Sequence, residues 1–95
     1  MKAVICEKLG PPEHLVLKDV PDPGAPGPGQ VLIGVKAAGV NFPDTLIIEG
    51  RYQTKPPLPF SPGGEVSGTI LAVGDGVDDM EVGQRVLALT TYGGF

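Results

Sequence analysis

Residues 62–68, Pro62-Gly63-Gly64-Glu65-Val66-Ser67-Gly68 (PGGEVSG), set three glycines around one carboxylate just past the middle of the chain. Three readings compete: a loop that cradles a phosphate, a remnant of a metal site, or a corner where the backbone turns sharply. The flanks narrow the choice. Glu65–Val73 (EVSGTILAV) reads as a strand, with Gly68 marking a bend or bulge. Tyr52–Pro62 (YQTKPPLPFSP) is proline-rich and must be loop. PGGEVSG therefore enters a strand rather than opening a helix, and that fails the phosphate test.

The other glycine clusters fail it too. Gly74-Asp75-Gly76 follows a strand as a dinucleotide fingerprint would, but Asp79 stands where the third glycine belongs. Carboxylates there repel a phosphate. Gly34–Gly39 has the glycine spacing of a P-loop, yet Val40-Asn41 replaces its lysine and hydroxyl. The metal reading is equally thin. The chain has one histidine, His14, and one cysteine, Cys6, in separate N-terminal segments. His14 reads as a solvated surface imidazole and Cys6 as an inert buried thiol. Asp75, Asp78, Asp79 and Glu81 lack the spacing of a calcium loop and read as a solvated turn. No metal is expected.

Outward from the corner, short β-rich runs alternate with turns. Ala3–Cys6 and Leu15–Val20 are candidate strands with Gly10-Pro11-Pro12 turning between them. Residues 22–29 (DPGAPGPG) form a proline-glycine linker in an extended loop. Gln30–Val40 is the strongest strand, with Val31, Ile33, Val35 and Ala37 on one face. Pro43–Glu49 suits one or two helical turns, Asn41 capping them and Gly50 stopping them. Arg85–Leu89 is the last strand. The expectation is a mainly β fold, a barrel or sandwich with almost no helix.

Bulk composition bounds the function. Ninety-five residues with 41% apolar and 19% charged content describe one small domain with a modest core. Glycine and proline supply 26 of the 95 residues but are dispersed, as tight turns require rather than disorder. A net charge of −4 without a basic patch excludes a nucleic-acid partner. No apolar run approaches a membrane span, and the N-terminus is interrupted by charge too soon for a signal peptide. One unpaired cysteine fits a reducing, cytoplasmic compartment. A final strand followed at once by TTYGGF reads as though the chain continues past Phe95.

Taken together, AAGVNFPDTLIIEGRY, PPLPFSPGGEVSGTILAVGDGVDDMEVGQRVLAL and the opening MKAVICEKLGPPEHLVLKDVPDPGAPGPGQVLIGV resemble one family across essentially all 95 residues. It is the N-terminal, GroES-like domain of medium-chain dehydrogenase/reductases, in the zinc-independent NAD(P)H:quinone oxidoreductase branch with its related enoyl reductases. The resemblance implies a partly open β-barrel spanning residues 1–95. It also implies that the Rossmann cofactor domain of the family is absent here. Zinc alcohol dehydrogenases carry Gly-His-Glu where this chain has Gly63-Gly64-Glu65, and a cysteine ligand where it has Asn41. The stretch 62–68 is then a corner at the edge of a former metal pocket. Departures include Gly64 for a common alanine, Gln84 for a usual aspartate, and Leu46 where some quinone reductases present a tyrosine.

What the resemblance implies for chemistry is hydride transfer from NADPH or NADH to a quinone or α,β-unsaturated carbonyl. Asn41 would bind cofactor or substrate carbonyl through its amide, unless capping occupies it. Tyr52 stands where enoyl reductases place a proton donor, and a phenol keeps its proton at neutral pH; packing is its alternative role. Asp44 and Glu65 are expected to be structural, Glu65 in a buried ion pair whose arginine lies outside these residues. The chain alone is expected to be inactive, with homodimers confined to a full-length protein. Two other functions compete: a stand-alone GroES-like barrel used for binding or assembly, and a zinc alcohol dehydrogenase.

Overall fold

Strands this short, separated by glycine and proline, find their partners far along the chain. The computed structural model describes all residues, Met1–Phe95. Strand β1 (Lys2–Ile5) pairs antiparallel with β2 (Val16–Asp19), Lys2 opposite Asp19 and Ile5 opposite Val16. Strands β3 (Val31–Gly39), β4 (Glu65–Val73) and β5 (Arg85–Leu89) form a second antiparallel sheet with β4 in the centre. One short helix, α1 (Phe42–Ile48), joins β3 to β4. The fold is mainly β, as expected, and its strands are divided between two open sheets, consistent with a partly open GroES-like barrel. The turn expected at Gly10–Pro12 extends into a 3-10 turn over Pro12–His14, and His14 is exposed.

Sequence signals at both ends of α1 act as read. Asn41 is the N-cap residue and Pro43 lies in the first turn, where its missing N–H costs nothing. Gly50 takes φ +71°, its N–H donates to the Ile47 carbonyl, and the Arg51 N–H donates to that of Leu46 at 2.9 Å. That is a Schellman stop, open to glycine because φ is left-handed.

The helix buries Ile47 and Ile48 against Cys6 and Phe60, with Leu15 and Tyr52 packed on the edge. Cys6 and Phe60 also exchange backbone hydrogen bonds of 2.7 and 3.2 Å, tying β1 to the loop before the corner. Only 11 of 95 residues are buried, so each side chain in this cluster carries a large share of the stability. Cys6 is 1% exposed, and its thiol donates to the Lys8 carbonyl at 3.2 Å. Burial pushes the Cys6 thiol up from its ordinary pKa.

The β3–β4 ladder departs from the even alternation read in the sequence. Val35 faces Gly68 and Ala37 faces Ser67, which leaves Lys36 without a partner. Leu32 faces Ala72 and Ile33 faces Ile70, which leaves Leu71 without one. Val35, Lys36 and Ala37 are consequently all exposed. The bulge expected at Gly68 lies across from it, on β3. Gly68 itself is a point of close approach, because a Cβ there would collide with the Gly34 carbonyl oxygen and stand 3.0 Å from Ile33 Cγ2.

The two sheets share no strand. Residues 90–95 bridge them. Thr90 N–H donates to the Gly64 carbonyl (2.7 Å), Gly93 to Ser61 (2.6 Å), Gly94 to Gly63 (3.1 Å) and Phe95 to Pro62 (2.9 Å). The Phe95 carbonyl then accepts from Val4 N–H on β1 at 3.1 Å. Tyr92 adds an edge-to-face contact with Phe60, ring centroids 6.0 Å apart.

Two outcomes test this packing. Gly68→Ala should destabilise the chain by about 1–3 kcal/mol in denaturant unfolding, the usual cost of overfilling a packed site. Cys6 should resist alkylation in buffer and react at the free-thiol rate in denaturant. With its folded pKa raised, the unfolded thiol loses its proton first as pH climbs past about 8.5. Stability should therefore decline above that pH, and Cys6→Ala should flatten this part of the profile.

Candidate active site

The N-terminal end of α1 carries the first residue singled out from the sequence. Asn41 is extended (φ −128°, ψ 163°) and exposed. Capping was expected to compete for its side chain. The two share a capping box: the Asp44 carboxylate accepts the Asn41 backbone N–H at 2.8 Å, the Asn41 side chain faces the Asp44 N–H, and that N–H donates to the Asn41 main-chain carbonyl at 3.0 Å. The Asn41 side-chain carbonyl is thus turned to the helix end, as foreseen. Its NH2 donates to nothing within the chain and is the part open to a ligand. Asp44 is 5% exposed, the structural role foreseen for it.

Tyr52 stands past the other end of α1, beyond the Gly50 stop. Its ring packs on the Cys6–Ile47–Ile48–Phe60 cluster and is half-buried. No buried polar side-chain atom lacks a partner, and the Tyr52 hydroxyl opens on solvent. The structure does not bring Asn41 and Tyr52 into contact. A seven-residue helix separates them, roughly 10 Å of axis. Both roles weighed for Tyr52 are therefore compatible: the ring packs and the hydroxyl is free.

The corner itself has no side chain to offer at Gly63 or Gly64. Gly63 takes φ +111° with its Cα against Phe95, and Gly64 lies between the Thr90 carbonyl and Asp44. Glu65 begins β4 exposed, its side chain lying over the bare Cα of Gly39, and takes part in none of the chain's ion pairs. The buried ion pair expected of Glu65 is not formed among these residues. Nowhere do three His, Cys, Asp or Glu side chains converge as a metal would need.

Two shallow cavities flank the second sheet. The larger, about 480 Å3, is lined by Val4, Val35, Lys36, Val40 and Phe95 among others. The smaller, about 350 Å3, lies beside Glu65, Gly39 and Leu87. Neither encloses Asn41 or Tyr52. Leu87 and Leu89 on β5 are 76% and 80% exposed. No helix is long and apolar enough to cross a membrane. Thr90 went unnoticed in the sequence. Its hydroxyl donates to the Gly63 carbonyl, 27 residues away, at 2.8 Å, and no local pattern announces such a contact.

Comparison with known proteins places this geometry. Residues 27–94 match the alcohol dehydrogenase GroES-like domain. The quinone oxidoreductase of Rattus norvegicus is 46% identical over 95 residues, covering 99% of this chain and 29% of that protein. The synaptic vesicle membrane protein VAT-1 homolog of the same organism is 49% identical over 71 residues, 75% of this chain and 18% of its own length. Among solved structures, Escherichia coli quinone oxidoreductase complexed with NADPH superposes with a TM-score of 0.87 at 33% identity, covering 95% of this chain and 27% of that one. The chain thus spans less than a third of the length of these relatives. On this match and these identities, the chain belongs to the alcohol dehydrogenase GroES-like domain family, on the quinone oxidoreductase side of the medium-chain dehydrogenase/reductases.

Proposed function

We propose that these residues form the substrate-side wall of an NAD(P)H-dependent quinone or enone oxidoreductase that works without zinc. The observation that carries this reading is the exposed NH2 of Asn41, which donates to nothing within the chain while the rest of the side chain takes part in the α1 capping box. Bound nicotinamide would supply the hydride. The fit rests on polar donors that the chain does not spend on itself: the Asn41 NH2 and the Tyr52 hydroxyl, at either end of α1.

In this reading Asn41 donates its NH2 to a carbonyl oxygen of the acceptor or accepts from the carboxamide of the cofactor ring. Positioning of this kind lowers the barrier by holding the reacting atoms in line. Tyr52, its ring fixed by the Phe60 cluster, delivers a proton to the reduced acceptor. The donor set supports zinc independence: Gly64 has no side chain and a neutral amide at Asn41 is a poor zinc ligand. Pyrophosphate binding and dimer contacts are assigned to residues outside this chain, because no glycine turn here opens a helix.

Three results decide the reading. The 95-residue chain alone should show no NADPH oxidation with a naphthoquinone, and turnover by it would overturn the half-site assignment. In a full-length polypeptide bearing this domain, Tyr52→Phe should lower kcat for an enone on the order of 10²-fold, the typical weight of one positioned proton donor. With a quinone the loss should be smaller, since a reduced quinone takes protons from water. Elemental analysis should find no zinc; about one equivalent per chain would revive the zinc enzyme.

A further inference from the structure

We propose that Thr90 is a positioning residue for Asn41, acting through the Gly63–Gly64 corner and Asp44. The residues adjoin one another in sequence of action. Thr90 holds the corner twice: its N–H donates to the Gly64 carbonyl at 2.7 Å and its hydroxyl to the Gly63 carbonyl at 2.8 Å. Gly64 then lies between Thr90 and Asp44 with no side chain to hold them apart. A Cβ built on Gly64 would stand 3.2 Å from the Thr90 carbonyl oxygen and 3.8 Å from Asp44 Oδ1. The other oxygen, Asp44 Oδ2, accepts the Asn41 N–H at 2.8 Å and so fixes the backbone that aims the Asn41 amide.

The chemistry of each link supports a positioning role. Asp44 is buried, so its carboxylate cannot exchange partners freely with water. Gly63 takes φ +111°, a conformation that a glycine corner holds only weakly by itself and that outside hydrogen bonds must define. The Gly63 carbonyl also accepts from Gly94 N–H at 3.1 Å. Losing the Thr90 hydroxyl therefore leaves that carbonyl satisfied, and the effect of the loss is local rather than global.

The test is amide hydrogen exchange on the 15N-labelled chain. Thr90→Val keeps the side-chain volume and removes the donor. It should speed exchange of the Asn41 amide about five- to tenfold, the weight of one hydrogen bond, while β1–β2 amides keep their rates. Thr90→Ser should restore the wild-type rate. Gly64→Ala, which crowds the same gap from the other side, should also speed it, and it decides the matter if Thr90→Val does not fold. An Asn41 amide unmoved in a folded variant, or a Ser replacement that fails to restore it, overturns the proposal. Its catalytic consequence rests on the function proposed for Asn41. In a full-length oxidoreductase, Thr90→Val should lower kcat and Thr90→Ser should restore it. Altered exchange with unaltered kcat would sink the role given to Asn41 while leaving the Thr90 linkage standing.

Discussion

Backbone hydrogen bonds from irregular segments hold this domain together. The β1–β2 pair and the three-stranded sheet have no common strand, so the union depends on the Cys6–Phe60 bridge and on residues 90–95 running beside Ser61–Gly64. Such bonds contribute little each in water, yet each becomes costly to leave unmade once the groups are covered. Here they also set geometry. The corner they define abuts Asp44, and Asp44 defines the start of α1. Side-chain placement at the candidate site is in this way inherited from main-chain pairing elsewhere.

Division of labour between Asn41 and Asp44 shows how the frame and the chemistry are kept apart. An asparagine at an N-cap ordinarily spends its side chain on the helix. Here the buried carboxylate three residues on shares that load by accepting the Asn41 N–H, and the asparagine NH2 donates to nothing within the chain. Tyr52 follows the same logic with its ring and its hydroxyl. The apolar part anchors in the Phe60 cluster while the polar tip remains available.

Much of this was legible in the residues. The five strands, the Asn41 cap, the Gly50 stop and the inert Cys6 each have local signals: alternation, a capping residue, a left-handed glycine, an apolar run. What escaped is non-local. Nothing near Thr90 reports that Gly63 will lie beside it, and nothing near Glu65 reports whether a cation will face it. The positions of the two ladder irregularities were also hidden, because strand periodicity is read one strand at a time and a bulge is a property of two. Gly68 drew attention as a candidate bulge. It turned out to be the smooth side of one, glycine because the neighbouring backbone comes too close for a side chain.

Those two irregularities have opposite sense. Lys36 is the extra residue on β3 and Leu71 the extra residue on β4, so register slips by one between them and recovers: Val31 faces Val73 and Gly39 faces Glu65, as they would in an uninterrupted ladder. A single-residue deletion at either site would leave the strand ends out of step and turn inward-facing side chains outward. Loss of both would cancel. Length variation in this sheet is thus constrained to occur in matched pairs, one residue on each strand, which makes gaps at positions 36 and 71 natural companions in the descent of such domains.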